Sequence, residues 1–464
     1  ATSVEVDDAG RPVRRLDPGN DEYGIRYHPQ FPHAPEVITN CCEGVVRFDY
    51  DAAGRLILRE APGGARTRFE YDPNGNRTAV VDPQSNRREY GYDALNRIVT
   101  EVDAAGGRRT HRYDAAGNLT ETVDRRGYKR TFVYDEMSRR IEERWHDPVD
   151  DSVMHTIRFD YTRSSILSRV EDANATVVLG VGPTPSAPTG TVRATYPGRA
   201  ESLLLYEHDA AGRRSQWNLF NTATVRLVRD RDGRLRIMTI EGQDTNRGRL
   251  EFWRDPRGTV TEIRRFADVP GQWHAGSTFF PDIDPRGWVN RIEHRNAAGE
   301  LLPDGVQVFT RSSGGRVDAL QDGALALAYR YDPANQLVEV SRNGLPAEFY
   351  AYDTGGNRTA SHRHPTYLVT AGNRYNHAGP WSLTYDGEGN LVAKSNIVSG
   401  DALTFTWDHR QRLTRVERHP ANSPSSVVVE YRYDPLDRRI AETRGGQTRW
   451  TYYDAAHPIA DYLN

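Results

Sequence analysis

A tyrosine–aspartate pair recurs along this chain at a fixed spacing, and that spacing constrains the fold more than any other feature. Five copies stand 21 residues apart, and each begins a variant of the phrase Tyr-Asp-Ala-Ala-Gly-Arg. These five are Tyr50-Asp51, Tyr71-Asp72, Tyr92-Asp93, Tyr113-Asp114 and Tyr134-Asp135. Less regular copies follow, with complete pairs at Tyr331-Asp332, Tyr352-Asp353, Tyr385-Asp386 and Tyr433-Asp434. A fixed period of about 20 to 50 residues indicates a repeat protein in which each repeat is one supersecondary unit.

The phrase has the residues of a tight turn. Aspartate at the first position can accept hydrogen bonds from backbone N–H groups further along the turn, and glycine at the fourth can adopt the left-handed conformation. We therefore expect turns at Asp72, Asp93 and Asp114, and positive φ angles at Gly54, Gly75 and Gly117. A second turn sequence lies half a period later, as in Asp103-Ala-Ala-Gly106. Turns at this spacing leave about six residues for each strand between them.

The residues between the turns alternate as they do in β-strands. Large side chains stand two residues apart before each aspartate, as at Phe69 and Tyr71, and the return strand Ile98–Val102 alternates as well. The 40 glycines and 26 prolines interrupt the chain too often for long helices. The sequence therefore predicts an all-β protein built from continuous antiparallel β-hairpin repeats.

Composition and width together predict how these hairpins are arranged. Only 37% of the residues are hydrophobic and the mean hydropathy is −0.74, which favours one long sheet over several thick cores. About 18 two-strand units at roughly 4.8 Å per strand would form a ribbon about 170 Å wide. Open sheets rarely exceed about ten strands without curling. We expect the ribbon to coil into a hollow spiral shell, or part of one, in which distant repeats become neighbours.

Repeat regularity divides the chain into three segments of one expected ribbon spanning residues 1–464. Residues 1–145 carry the regular repeats, 146–207 form an irregular interruption with a Pro/Gly-rich loop near 180–190, and 208–464 carry degenerate repeats. An insertion tolerated at a hairpin tip explains the loop better than a protein-contact site does. Repeat sequence is already present near the N-terminus, so we expect the chain to be a piece of a longer polypeptide.

The charge balance argues against two classes of partner. Sixty-one basic and 64 acidic residues give a net charge of −3, which offers no general attraction to nucleic acid or to an anionic membrane. Only Lys129 and Lys394 are lysines; all other basic residues are arginine. A GC-rich genome is the favoured explanation, and stacking of guanidinium groups on the tyrosine rows is the physical alternative.

A search for chemical motifs yields no catalytic, cofactor-binding or metal-binding residue. His362 and His364 would face the same side of a possible strand and could share a metal, but without a third ligand they are better interpreted as surface residues. Cys41 and Cys42 are adjacent and are interpreted as reduced residues in a loop, with a vicinal or intermolecular disulfide as the alternative. Glu388 is taken as a surface residue outside the repeat signature, whose replacement should change stability by at most about 0.5 kcal/mol.

The ladder of Tyr-Asp turns resembles the YD repeat of the Rhs family, which includes Rhs polymorphic toxins, toxin-complex C components, wall-associated proteins and teneurins. The resemblance implies the architecture of that family: a β-ribbon wound into a cocoon around a C-terminal toxic domain, followed by a core that ends in an autoprotease. The segment Trp450–Leu463 resembles the last repeat before that core. The cleavage region itself is not found in the sequence, so no catalytic residue is carried over.

The expected function is that of a non-enzymatic shell segment of a toxin-like protein, secreted or on the cell surface and without a cofactor. Its expected partners are its own C-terminal toxin or cargo segment, the remaining shell, and a delivery or capping protein. The alternative is a wall-associated adhesin whose aromatic and arginine rows bind a cell-surface glycan.

Overall fold

The structure of this protein is a computed structural model. It describes residues 2–16, 22–39, 44–180, 189–199, 202–209, 211–219, 223–242, 247–269, 272–273, 276–423, 425–454 and 457–463. Cys41, Cys42 and most of the Pro/Gly-rich loop, residues 181–188, lie outside the described residues. The expectations for the two cysteines and for this loop therefore remain predictions.

Short strands follow one another along the whole chain. The first are β1 Ser3–Val6, β2 Pro12–Leu16, β3 Glu22–Tyr27, β4 Pro35–Thr39, β5 Val45–Tyr50, β6 Leu56–Glu60, β7 Arg66–Tyr71, β8 Arg77–Val81, β9 Arg87–Tyr92, β10 Ile98–Val102, β11 Arg108–Tyr113, β12 Leu119–Val123, β13 Lys129–Tyr134 and β14 Arg140–His146. The next are β15 Val153–Tyr161, β16 Leu167–Glu171, β17 Thr176–Gly180, β18 Thr189–Thr195, β19 Ser202–His208, β20 Arg214–Leu219, β21 Ala223–Arg229, β22 Leu235–Gly242, β23 Arg247–Arg254, β24 Val260–Val269, β25 Gln272–Trp273, β26 Gly276–Ile283, β27 Val289–Arg295 and β28 Leu301–Arg311. The last are β29 Val317–Asp322, β30 Leu325–Tyr331, β31 Leu337–Arg342, β32 Leu345–Tyr352, β33 Arg358–Ser361, β34 Tyr367–Thr370, β35 Arg374–Ala378, β36 Trp381–Tyr385, β37 Leu391–Asn396, β38 Ala402–Trp407, β39 Leu413–His419, β40 Val427–Tyr433, β41 Arg439–Arg444, β42 Gln447–Asp454 and β43 His457–Leu463.

The chain divides into two compact units, each made of two separate stretches of sequence. Unit 1 comprises Ala1–Arg88 and Val228–Asn373, and unit 2 comprises Glu89–Leu227 and Arg374–Asn464. This division is by spatial contact. The three segments defined by repeat regularity remain an interpretation of the sequence.

Within each unit, neighbours in sequence are neighbours in the sheet. Antiparallel pairing runs in order through β1 to β8 and β26 to β33 in unit 1. It runs through β10 to β20 and β35 to β43 in unit 2. Among the described residues, the sole helical element is the 3-10 turn Pro62–Gly64. The prediction of antiparallel hairpin repeats is confirmed.

The Asp51 turn shows how the repeat phrase closes each hairpin. Its carboxylate Oδ1 accepts hydrogen bonds from the backbone N–H groups of Ala53 at 3.0 Å and Arg55 at 2.9 Å. The N–H of Gly54 donates to the carbonyl of Asp51 at 2.9 Å, and the strand register shifts by one residue at Tyr50. Gly54 has a φ of 77°, which glycine adopts without steric cost. The turn is therefore fixed by contacts within five consecutive residues.

The same turn geometry recurs in other repeats, both with and without glycine at the fourth position. Gly75 and Gly117 have φ angles of 90° and 91°. Asparagine, serine, glutamine or aspartate takes the same left-handed position in other repeats: Asn96, Ser138, Asn335, Gln411 and Asp437. Polar residues such as asparagine and aspartate tolerate this conformation better than β-branched residues do.

Replacing Gly117 by valine should lower the free energy of unfolding by about 1 to 3 kcal/mol, because valine is strained at this φ. A side chain at this position would meet no atom within 4 Å, so the cost arises from the backbone alone. The control is Ala115→Val in the same exposed turn, where φ is not positive. Chemical denaturation of both variants measures the difference, and equal losses would contradict the backbone explanation.

Candidate functional site: an interlocked seam between distant repeats

The signature tyrosines bind each hairpin to the one before it. Tyr71 lies at the end of β7, and its hydroxyl donates to the carbonyl of Leu56, the first residue of β6, at 2.9 Å. The same bond to an earlier strand is made by Tyr50, Tyr113, Tyr134, Tyr331 and Tyr433 at 2.8 to 2.9 Å. Tyr92, Tyr352 and Tyr385 stand at the same place, the last residues of β9, β32 and β36. The tyrosine of the repeat is therefore a link between repeats.

The arginine that follows the turn completes this link. Arg55 donates from Nε to the carboxylate of Asp51 at 2.7 Å, and its guanidinium lies 4.9 Å from the ring centre of Tyr71. It also donates from Nη1 to the carbonyl of Asp72 in the next turn at 2.8 Å. Arg97 and Arg412 make the same three contacts in their repeats. Guanidinium stacking on the tyrosine rows is therefore a structural role of these arginines.

In unit 2, turns from two distant stretches of sequence lie against each other. The turn around Asp124 contacts the turns around Asp386 and Asp408, and the end of β14 contacts the turn around Asp408. Arg374 donates to the carboxylate of Asp103, and Leu436 in the turn around Asp434 packs on the apolar cluster formed by both stretches. We call this contact the seam, and define it as residues 103–107, 124–128 and 143–151 on one side and 386–390, 408–412 and 434–438 on the other. Residues in contact across the seam stand about 260 to 285 positions apart in the sequence. Arg126, for example, donates to the carbonyl of Asp408 at 2.9 Å, and the two residues are 282 positions apart.

Glu388 forms one ionic centre of the seam. Its carboxylate accepts from the backbone N–H of Arg125 at 2.6 Å and from the guanidinium groups of Arg125 and Arg109 at 3.0 and 2.5 Å. The side chain is only 1% exposed. Burial raises the pKa of this carboxyl, but the hydrogen bonds and charges of the two arginines outweigh burial and lower it. The expectation that Glu388 is a surface residue is therefore wrong, because a partner distant in sequence covers it.

We now expect Glu388→Ala to lower the free energy of unfolding by about 1 to 3 kcal/mol, because Arg125 would lose a buried hydrogen-bond partner. Glu430→Ala is the matched control, since the Glu430 carboxylate is 54% exposed and forms an ion pair with Arg415, which is 39% exposed. That control should change stability by at most about 1 kcal/mol. Equal effects in urea denaturation would show that the seam contact at Glu388 is not stabilising.

Glu143 and Arg410 form a second and more deeply buried centre. Arg410 donates from Nε and Nη2 to the two carboxylate oxygens of Glu143 at 2.9 and 2.7 Å, across 267 residues of sequence. Trp145 donates its indole N–H to the same carboxylate at 2.9 Å, and Glu143 is 0% exposed. Burial raises the pKa of Glu143, yet the bonds and charge of Arg410, together with Trp145 and Arg130, lower it to about 2. The pair is therefore ionised and bidentate.

An apolar cluster continues the contact between the two stretches of unit 2. Tyr196 stacks on Trp450 and Tyr452, with ring centres 5.6 and 5.0 Å away, and is 2% exposed. The cluster also contains Ile157, Val170, Val177 and Ile440, all fully buried. Most of its members from the first stretch lie in residues 146–207, where the repeat is irregular.

Unit 1 uses the same arrangement with different side chains. The turn at Asp82 lies beside residues 372–373, and the Asn373 amide donates to the carboxylate of Asp82 at 2.8 Å. The N–H of Gly372 donates to the side-chain oxygen of Asn86 at 2.8 Å. These contacts again join residues nearly 290 positions apart. The prediction that distant repeats become neighbours is confirmed within each unit.

The sequence carried a signal for the seam that the repeat analysis did not use. Early turns have small central residues, such as Ala52 and Ala53 after Asp51. The seam turns instead carry Arg125 and Arg126, and, on the opposite side, Glu388, His409 and Arg410. At these seam turns the large polar residues at the turn centres make the contacts with the distant stretch, although the turn itself requires none of them.

The described part of the chain was compared with two kinds of site, a metal-binding cluster and a membrane-spanning helix. No group of three or more His, Cys, Asp or Glu residues within it could hold a metal ion. No helix in the same ranges is long and apolar enough to cross a membrane. His362 and His364 follow the end of β33 at Ser361, so they do not share a strand as the sequence suggested.

Two family models match the chain. The RHS Repeat model matches residues 50–87, 71–109 and 113–144, and the Teneurin YD-shell model matches residues 315–463. Together they cover about half of the chain.

Several curated toxins are similar in sequence. Double-stranded DNA deaminase toxin A of Burkholderia cenocepacia (strain H111) is 26% identical over 299 residues, covering 58% of this chain and 19% of that protein. Toxin protein Tse5 of Pseudomonas aeruginosa is 28% identical over 225 residues, covering 42% of this chain and 17% of that protein. The chain thus spans less than a fifth of the length of these relatives.

Solved structures share the fold. The Photorhabdus luminescens Tc holotoxin pore structure matches with a TM-score of 0.78 at 15% identity, covering 97% of this chain and 26% of the solved chain. The TcdB2-TccC3-TEV structure matches with a TM-score of 0.77 at the same identity and coverage. With its ladder of Tyr-Asp turns and the two family models that together match about half of its residues, the chain belongs to the RHS/YD-repeat family.

Proposed function

We propose that this chain is a non-enzymatic wall segment of a shell that encloses a polypeptide cargo within a toxin-like parent protein. The observation that carries the proposal is the seam of unit 2, where turns about 260 to 285 residues apart are fastened by buried ion pairs. A ribbon that is fastened to itself in this way is wound, and a wound ribbon can separate a volume from solvent. The cargo is the C-terminal segment of the parent, and the parent acts outside the cell that makes it.

The surface chemistry supports a container over a glycan-binding module. Signature arginines stack on signature tyrosines, and both donate hydrogen bonds to backbone carbonyls of other strands or turns, as Arg55 and Tyr71 do. These side chains therefore already use their polar groups within the protein. The near-neutral net charge of −3 gives the wall no strong preference for a cargo of one sign.

Protease protection tests the proposal. The parent protein, tagged at its C-terminus, is treated with proteinase K at about pH 7.5, and survival of the tag is followed over time. We expect the tagged segment to survive at least about tenfold longer in the wild type than in Glu143→Ala, because breaking the seam increases the population of opened wall. Glu142→Ala, on the other face of β14, is the control and should protect like the wild type.

Two outcomes would contradict the enclosure proposal. One is digestion of the tagged segment in the folded wild type as fast as in the isolated segment. The other is micromolar binding of the 464-residue chain to a defined glycan on an array, abolished by replacing exposed aromatic residues such as Trp253 or Phe349.

A further inference from the structure

A stack of aromatic rings crosses the seam of unit 2. The imidazole of His409 lies between Tyr128 and Trp145, with ring centres 4.6 and 5.3 Å away and interplanar angles of 21° and 15°. His155 lies against Trp145 with a centroid distance of 4.4 Å. His409 comes from the stretch Arg374–Asn464, whereas the other three rings come from the stretch Glu89–Leu227.

The hydrogen bond of His409 also crosses the seam. Its Nε2 donates to the backbone carbonyl of His146 at 2.8 Å, and the residue is 8% exposed. The ring of His146 is held separately, with Nε2 2.9 Å from the hydroxyl of Thr131 and Nδ1 3.0 Å from the carbonyl of Asp151. His409 is therefore a buried, oriented titratable group at the contact itself.

The charges that face His409 are already paired. Arg126 lies 4.4 Å from the Tyr128 ring centre and binds Asp124 at 2.6 Å. Arg412 lies 5.3 Å from the Trp145 ring centre and binds Asp408 at 2.7 Å. Other charged groups at this contact lie in pairs as well: Arg410 with Glu143, His155 with Asp172 at 3.2 Å, and His146 with Asp151 at 3.5 Å. A proton on His409 would add a positive charge without an unpaired carboxylate to balance it.

We propose that protonation of His409 loosens this seam, so that the wall opens in mildly acidic surroundings. The inference rests on the proposed enclosing function, and it adds a condition under which the enclosure is released. Histidine is the side chain whose charge changes between about pH 5 and 8, so it suits this role.

The sign of the effect follows from the environment. Burial lowers the pKa of His409 from its ordinary value of 6.5, with the charge of Arg126 acting in the same direction. The unfolded state therefore takes up a proton first as the pH falls below 6.5, and the seam loses stability from that pH downward. Glu143, whose pKa is about 2, stays ionised at about pH 5, so this loss is separate from the loss of the ion pair.

Hydrogen–deuterium exchange of the 464-residue chain, corrected for intrinsic rates, tests the proposal at about pH 7.5 and pH 5. We expect protection of β14 and of residues 408–412 to fall about tenfold at pH 5, because the open state takes up a proton at His409 more readily than the folded state does. Protection of β7 and β8 in unit 1 serves as the internal reference and should not change. Unchanged seam protection in the wild type would overturn the proposal without any variant.

Two variants identify the responsible histidine. His409→Gln keeps a donor that can reach the carbonyl of His146 but cannot be protonated, so its seam protection should be the same at both pH values. His419→Gln replaces an exposed histidine at the end of β39 and should behave like the wild type. A tenfold fall that persists in His409→Gln would overturn the proposal. Cargo protection at about pH 7.5 tests the enclosing function separately, because His409 is neutral there.

Discussion

Glu143→Ala should lower the free energy of unfolding of this protein by about 3 to 5 kcal/mol, the largest effect that we expect from a single charge. The carboxylate is 0% exposed, and its removal leaves Arg410 buried without the partner that binds two of its nitrogens. Arg410 would keep only its contacts to the carbonyl of Pro435 and the carboxylate of Asp437. Denaturant unfolding followed by tryptophan fluorescence measures the loss.

The neighbouring residue provides the control for this experiment. Glu142 is also on β14, but alternation along a strand places it on the opposite face. Its partners Arg144 and Arg158 are 44% and 59% exposed, so Glu142→Ala should cost at most about 1 kcal/mol. Similar costs for the two variants would mean that the buried pair contributes little.

The wild type should lose the contribution of Glu143 only in strong acid. The pKa of its carboxyl is lowered to about 2 from the model-peptide value of 4.5. A lowered carboxyl pKa gives stability that is present above pH 4.5 and lost as the pH falls through 2. The difference in stability between wild type and Glu143→Ala should therefore shrink across this range.

Tyr196→Ala should cost about 3 to 5 kcal/mol, as large-to-small changes of buried aromatic residues do. The ring stacks on Trp450 and Tyr452, and its removal leaves a cavity in the apolar cluster of unit 2. Tyr196→Phe is the control at the same position. The hydroxyl makes only a long contact of 3.4 Å to the carbonyl of Thr451, so the control should cost at most about 1.5 kcal/mol.

Equal losses for the two Tyr196 variants would show that the hydroxyl, and not the stacked ring, holds the two stretches together. Hydrogen exchange of β17 and β42 should accompany the denaturation curve, because a chain of two compact units need not unfold in a single step. A loss of exchange protection confined to those two strands would show that the variant opens locally.

Local features of the fold could be predicted from the sequence because they depend on residues close to one another. The Asp51 turn is closed by hydrogen bonds that span at most four residues, and Gly54 adopts its positive φ because glycine has no Cβ to clash. Strand alternation needs only side-chain type at every second position. Turn sequence and alternation therefore indicated the hairpins correctly along the described chain.

Links between adjacent repeats were only partly predictable. The period placed Arg55 and Tyr71 in consecutive repeats, and stacking of such rows was one of two explanations for the arginine content. The bond from the Tyr71 hydroxyl to the carbonyl of Leu56 was not predicted, because a carbonyl oxygen carries no side-chain signature.

The sequence alone determined that this protein is a ladder of Tyr-Asp hairpins joined in order, and its tertiary structure decided which distant turns meet. Glu142 and Glu143 are neighbours with the same chemistry, yet one remains accessible and the other is fully buried against Arg410. Glu388 stands in an ordinary turn and was taken as exposed, yet Arg125 covers it. The physical reason is that a turn closes on hydrogen bonds within a few residues, whereas burial of a charge depends on a partner more than 260 residues away, which no local pattern specifies.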